Sequence, residues 1–330
     1  MLLFFGLAIA AAQAPPPPIV NGETSSNFPA VGALVACNEE DTCVFFCSAT
    51  LISPDAVLTA AHCIEAFNDD VSTIITDPTP TFIVGPDIGN ASARAVIAQF
   101  IANPDYSDAG SRFINDTGVG LLAAPIDSVD PLPLLLDAPN STWIGEPLTF
   151  LGYGATGDDE MGSGVKREAD IPVTFIDTNF FLSEDPADAA TAKNVCFGDS
   201  GGAVVRDDPE HGVVLAGVNS FVFNNDDKSS PCEGGGNGTA RIDRSVPFIE
   251  SFADFEGKGE LDPAIREGGI TGDTDGTTDQ PGACATAPGY SALEAGLWLG
   301  LVGMATAFRR INPRRINPRR INPRRGQPGQ

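Results

Sequence analysis

Histidine is almost absent: the 330 residues contain two, His62 and His211. Cations are scarce too, with 19 Lys and Arg against 44 Asp and Glu, and eight of the 19 are arginines between Arg309 and Arg325. Before Arg309 the chain carries 11 basic and 44 acidic residues. Such a field repels phosphate backbones, which excludes nucleic acid as a partner of the main domain. None of the seven cysteines stands in a CxxC pair or a His-rich neighbourhood, so a zinc site is not expected and no metal is assigned to the folded domain. No long stretch of helical period runs through the middle of the chain. With 36 Gly, 27 Pro and 8% aromatics, the composition points instead to many short strands joined by turns, an all-β body.

What is present falls into segments. Met1 to Ala12 is an apolar run ending in small residues; it reads as a signal peptide without a basic leading region, cut near Ala12 or Ala14. That places the protein in an oxidising, extracytoplasmic compartment, secreted or anchored at the cell surface, where cysteines form disulfides. Residues 13–18 form a short propeptide whose four prolines, Pro15 to Pro18, can enter neither a central strand nor a helix interior. From Ile19 to Phe255, apolar stretches such as Thr50–Leu58, Leu148–Leu151 and Val213–Val218 alternate with Gly, Asn, Asp and Pro clusters, the pattern of a barrel or sandwich.

At Glu256 the composition turns to Gly, Asp and Thr, an acidic linker over residues 256–289 that contains Cys284. Within it Asp273, Asp275 and Asp279 resemble half of a calcium loop, but the completing Glu is missing and an acidic solvated tether explains them better. Residues 290–308 are mostly apolar and are followed at once by Arg309 and Arg310; they read as a membrane-spanning or sorting helix, or as an amphipathic terminal helix. The Arg-Ile-Asn-Pro-Arg repeat of residues 309–330 is a low-complexity tail with no function assigned.

One segment carries chemistry. In Cys196-Phe197-Gly198-Asp199-Ser200-Gly201-Gly202-Ala203-Val204-Val205, a serine sits between glycines before an apolar run. A nucleophile needs this setting, because the backbone must expose the hydroxyl while aiming N–H groups at the same point, here those of Gly198 and Ser200. Read alone, the segment is also compatible with a plain turn. Serine requires a general base, and the choice lies between two histidines. His62 ends the apolar stretch Leu58-Thr59-Ala60-Ala61-His62-Cys63, whereas His211 lies in a polar Asp-Asp-Pro-Glu-His turn.

Thr-Ala-Ala-His-Cys and Gly-Asp-Ser-Gly-Gly, in that order, resemble the two signature stretches of the trypsin and chymotrypsin family, and the resemblance spans about residues 19 to 250. It implies two six-stranded antiparallel β-barrels with the active site in the cleft between them and a helix near the domain's C-terminal end. It further implies that Ser200 attacks, His62 relays the proton and a buried Asp orients the imidazole. Asp116, in Asn115-Asp116-Thr117-Gly118-Val119-Gly120-Leu121-Leu122, resembles that Asp; an alternative register puts Gly118 in its place. Ile19-Val20-Asn21-Gly22 resembles the N-terminus that family zymogens expose, whose ammonium pairs with the residue before the nucleophile, here Asp199. The implied disulfides are Cys47–Cys63 and Cys196–Cys232, which leaves Cys37–Cys43 to pair locally. Cys284, beside Gly282 and Ala283, resembles the attachment point of C-terminal sorting signals, with an unpaired thiol as the other reading.

Substrate and partners follow from the same resemblance. Asn194 and Val195 stand at the floor of the specificity pocket, and Ser220, Phe221 and Val222 resemble its wall. A neutral floor cannot offset the desolvation of a buried cation, and Val222, in place of a glycine, shortens the pocket toward small or medium uncharged residues. The expected partners are protein or peptide substrates, an activating protease that tolerates Pro18 before Ile19, and a sorting protease at the tail; a monomer is expected. Two competing readings are a catalytically inactive homologue acting as a surface binding protein and an esterase on the same triad. The esterase turn leads into a helix, whereas Gly201–Val205 leads into an apolar β-like run.

Overall fold

The computed structural model describes residues 19–40, 42–108, 113–158, 161–224 and 230–266. The signal peptide, the propeptide, Cys284, the calcium-like Asp273, Asp275 and Asp279, the 290–308 segment and the arginine-rich tail lie outside the described residues. Among the described residues, no helix is long and apolar enough to cross a membrane.

Two closed six-stranded barrels make up the fold. The first uses β1 (Val31–Cys37), β2 (Cys43–Ser53), β3 (Ala56–Thr59), β4 (Thr79–Val84), β5 (Ala93–Ala102) and β6 (Gly118–Leu122), hydrogen-bonded in the order β1-β2-β3-β6-β5-β4 and back to β1. The second uses β7 (Pro147–Gly152), β8 (Arg167–Ile176), β9 (Phe180–Ser183), β10 (Ala203–Asp208), β11 (Gly212–Phe223) and β12 (Gly236–Arg241), in the order β10-β7-β8-β9-β12-β11, closed by pairing of β11 with β10. All pairs around both barrels are antiparallel. Closure gives each of these twelve strands a pairing neighbour on both sides.

The sequence dictates these strands through side-chain volume. Leu34, Leu51, Leu58, Phe82, Val84 and Val119 fill the first barrel with no exposed surface. In the second, Phe150, Ile171, Phe181, Val204 and Val214 do the same. At roughly 1.5–3 kcal/mol for each large side chain removed from water, these interiors supply the main driving force for folding.

A helix, α2 (Ile242–Glu250), follows the second barrel and buries Ile242, Val246 and Ile249. It also reaches the first barrel: the Ser245 and Thr117 hydroxyls are 3.0 Å apart, both buried. The chain then continues to pack where composition alone reads a linker. Gly257–Lys258 pairs with Leu134–Leu135, which pairs in turn with Leu215 of β11, and Leu261 and Ile265 are buried. Backbone pairing needs no large side chain, so a Gly-rich stretch can still close a sheet.

Candidate active site

His62 stands in the first turn of α1 (Ala61–Ala66), which follows β3 directly. The residue before the helix, Ala60, offers no side-chain cap, so a helix N–H must find an acceptor elsewhere. Asp116 provides it: its Oδ1 accepts the His62 N–H at 3.0 Å, and its Oδ2 lies 2.8 Å from His62 Nδ1. Asp116 is aimed inward by Asn115, which takes a left-handed φ of 52°, a conformation Asn tolerates better than most residues. The alternative position, Gly118, lies in β6 opposite Thr59, where a Cβ would stand 2.4 Å from Ile64. Gly118 has no side chain to offer, and the carboxylate bonded to His62 is that of Asp116.

The Asp116 carboxylate is fully buried and accepts a third bond from Ser220 Oγ at 2.5 Å. Burial alone pushes its pKa up, but the His62 ring and the bonds from His62 and Ser220 outweigh that and hold it below the ordinary range. For His62, burial pushes the pKa down, and the Asp116 charge and hydrogen bond more than reverse it, so the imidazole titrates above its ordinary value. The ring keeps 20% of its side-chain surface exposed.

Ser200 lies on the loop before β10 and is partly exposed. Its carbonyl accepts the Ser48 N–H at 2.8 Å. Gly201, with φ 81°, is pressed so closely against β2 and β3 that a Cβ there would stand 2.1 Å from Thr59 Oγ1 and 2.2 Å from the Ser48 carbonyl. Only glycine lets the serine turn seat against the strand end that leads into His62. The disulfide Cys47–Cys63 ties β2 to α1, Cys196–Cys232 ties the base of the serine loop to the segment before β12, and Cys37–Cys43 closes a short loop. Sulfurs of Cys47 and Cys63 and a His62 nitrogen lie within 4.8 Å of one another, but two sulfurs joined to each other are not thiolate ligands.

Asp199, beside Ser200, is fully buried. Its carboxylate accepts the Gly154 N–H at 2.7 Å and the Cys196 N–H at 2.8 Å. The Gly152-Tyr153-Gly154 stretch is explained by this residue, since a Cβ on Gly152 would stand 2.2 Å from Asp199 Oδ1 and one on Gly154 2.5 Å from its amide. Burial pushes the Asp199 carboxyl up to about 7, against the opposing pull of the two backbone bonds and Arg167. Nearby, Ile19 is buried in the second-barrel core with Phe150, Val195 and Val204, and Val20 bridges to Asn194.

The pocket residues are placed differently from one another. Asn194 is fully buried, and its amide is engaged by the Pro231 carbonyl at 2.9 Å, the Gly236 carbonyl at 3.4 Å and Asn237 Nδ2 at 2.9 Å. Val195 packs in the core, and the Ser220 hydroxyl turns to Asp116. Phe221 and Val222 keep partial exposure. Phe221 stacks on Phe113 at 5.4 Å, and Phe113 meets the His62 ring edge-on at 5.8 Å, an apolar wall beside the imidazole. Phe113 and the role of Ser220 escape a sequence reading because nothing local marks them. His211 lies apart from this cluster, 3.0 Å from Asp137.

Comparison with known proteins agrees with this geometry. The sequence profile of the family described as Trypsin matches residues 19–234, well over half of the chain. A trypsin of Saccharopolyspora erythraea is 28% identical over 209 residues, covering 60% of this chain and 86% of that protein. A brachyurin of Leptuca pugilator is 26% identical over 185 residues, 53% of this chain and 77% of its own. An ovochymase of Halocynthia roretzi is 28% identical over 223 residues, 62% of this chain, and the chain spans only 13% of that protein. With two six-stranded barrels, a serine turn docked beside a carboxylate-bound histidine and a profile match over residues 19–234, the chain belongs to the trypsin family of serine endopeptidases.

Proposed function

We propose that this chain is an extracytoplasmic endopeptidase that hydrolyses peptide bonds through an acyl-enzyme on Ser200. Ser200 Oγ attacks the scissile carbonyl as His62 takes its proton, and the N–H groups of Gly198 and Ser200 hold the oxyanion. His62 returns the proton to the leaving amine, and water then releases the acyl group along the reverse path. The reaction draws on no metal or cofactor. The observation that carries this reading is the pair of bonds from His62 to the buried Asp116, which orient the imidazole and favour its charged form as the proton arrives.

Substrates with small or medium uncharged residues fit the pocket best. The Asn194 amide is consumed by its own neighbours, so a buried Lys or Arg would find no counter-charge there. Activation proceeds by release of Ile19. That residue carries a φ of 41°, a left-handed backbone that costs a β-branched residue of order 1–3 kcal/mol. Cutting the bond before it removes the constraint and frees an ammonium for Asp199. The apolar 290–308 segment and Cys284 would then retain the enzyme at a surface.

A fluorophosphonate probe and casein hydrolysis test the proposal together. The Ile19-started chain is expected to label and to cleave, and Ser200→Ala to do neither. A chain that folds but neither labels nor cleaves is instead a binding protein on the same scaffold.

A further inference from the structure

β2 pairs with β3 only from Thr50 onward. The backbone of Ser48, two residues earlier, is therefore open on that side, and a buried open backbone must be satisfied by something. Its N–H donates to the Ser200 carbonyl at 2.8 Å, and its carbonyl accepts from Thr59 Oγ1 at 2.9 Å. The side chain is committed as well. Ser48 Oγ donates to the Gly198 carbonyl at 2.9 Å and accepts the Tyr153 N–H at 3.0 Å. Ser48 has no exposed surface, and these bonds tie a strand of the first barrel to two separate turns belonging to the second.

The location of those bonds matters for the oxyanion donors. The Phe197 carbonyl is held by the Ala155 N–H at 2.8 Å. Because a trans peptide is planar, pinning that oxygen sets the direction of the Gly198 N–H on the opposite side of the same bond. The next peptide plane, which starts at the Gly198 carbonyl, is held at its oxygen by Ser48 Oγ. Gly198 itself has φ 92° and lacks a side chain to resist rotation, so it is the flexible joint between two clamped planes.

Resting on the reading of Gly198 and Ser200 as oxyanion donors, we infer that Ser48 is a positioning residue for that turn. Its hydroxyl registers the Gly198 peptide on the first barrel, and its amide registers Ser200. It touches neither substrate nor the reacting atoms. Its contribution should therefore appear in the chemical step and leave substrate binding almost unchanged.

The test compares the Ile19-started chain with Ser48→Ala and Ser48→Gly, measuring kcat and KM on a tri-alanine p-nitroanilide, the rate of fluorophosphonate labelling, and Tm. For both variants kcat and the labelling rate are expected to fall about 10-fold, a fraction of the 10²–10³ lost when an oxyanion donor is deleted outright. KM is expected to stay within about twofold, because uniform binding is untouched. The glycine variant decides the matter if the alanine variant does not fold. Unchanged kcat in a folded variant overturns the inference, as does a fall in Tm with no separation of kcat from KM. A native chain that neither labels nor cleaves overturns the oxyanion reading itself, a result distinguishable from either of these.

Discussion

The two barrels differ in what they bury. Among the described residues, the first barrel and its connecting loops bury one charged side chain, Asp116, while the second barrel region buries Lys166, Arg167, Asp199, Asp208, Arg241 and Asp243. Arg241 and Asp243 are paired at 2.6 Å, and Arg206 reaches Asp208. Asp199 is held by backbone N–H groups. The first barrel is thus an apolar scaffold with one buried charge, bonded to His62. The second stores several ionisable groups, of which Asp199 is bonded into the serine turn itself. The carboxylate bonded to His62 and the carboxylate beside Ser200 thus belong to different barrels, so each can be perturbed alone.

The largest perturbation should come from the first barrel. Asp116→Asn keeps the shape but turns the His62 tautomer, and kcat is expected to fall about 10⁴-fold, the cost measured for this change in the family's template enzyme. Because Asp116 holds the His62 pKa above its ordinary value, the acid limb of the pH–rate profile is expected to move to lower pH in the variant. An unchanged limb would mean that the carboxylate does not act through His62.

Asp199→Asn perturbs the second barrel and sharpens the contrast. In the Ile19-started chain, activity is expected to fall about 10²-fold, the scale of one lost oxyanion donor, with the acid limb unmoved. The uncleaved chain should lose little, since it has no ammonium to forfeit. Equal losses in both forms would break the link between Asp199 and Ile19.

A smaller effect concerns stability. In the unfolded chain Asp199 titrates near 3.8, and in the fold near 7, so between those values the folded state holds a proton that the unfolded chain has lost. Stability from this group is full below the unfolded value and declines as pH rises through the folded one. The Tm of the uncleaved chain is expected to drop by several degrees between pH 4 and pH 7. In the Ile19-started form the ammonium favours the carboxylate and flattens that slope; parallel slopes from calorimetry would count against the pairing.

The smallest effect belongs to the bridge farthest from the chemistry. Cys37 and Cys43 are six residues apart, and closing so short a loop stabilises by about 2 kcal/mol. Replacing both with Ser should lower Tm by a few degrees and leave kcat and KM unchanged. A loss of turnover would show that the first barrel is less rigid than its core suggests.

His62 and Ser200 are legible before any coordinates, since each sits in a short motif whose glycines, alanines and cysteine have local reasons to be there. The all-β architecture is legible as well, from turn residues and short apolar stretches. Asp116 is only half legible: the sequence admits a register with Gly118 in its place, and only the folded chain brings the Asp116 carboxylate onto His62. The pocket is less legible still. Asn194 presents a neutral floor on paper, yet its amide is used up by Pro231, Gly236 and Asn237, and Ser220 serves the carboxylate. The stretch after Glu256 has the composition of a linker, yet its first residues, Gly257–Lys258, pair with Leu134–Leu135.

Local chemistry settles which residues can react, because a nucleophile turn, an imidazole and oxidisable thiols are properties of a few consecutive positions. Which partners those residues keep is settled by the folded barrels alone. The His62–Asp116 bond joins positions 54 apart, and the Ser48–Gly198 bond joins positions 150 apart. No pattern along a chain encodes a contact of that range; it exists only once two closed sheets have packed their interiors and pressed their rims together.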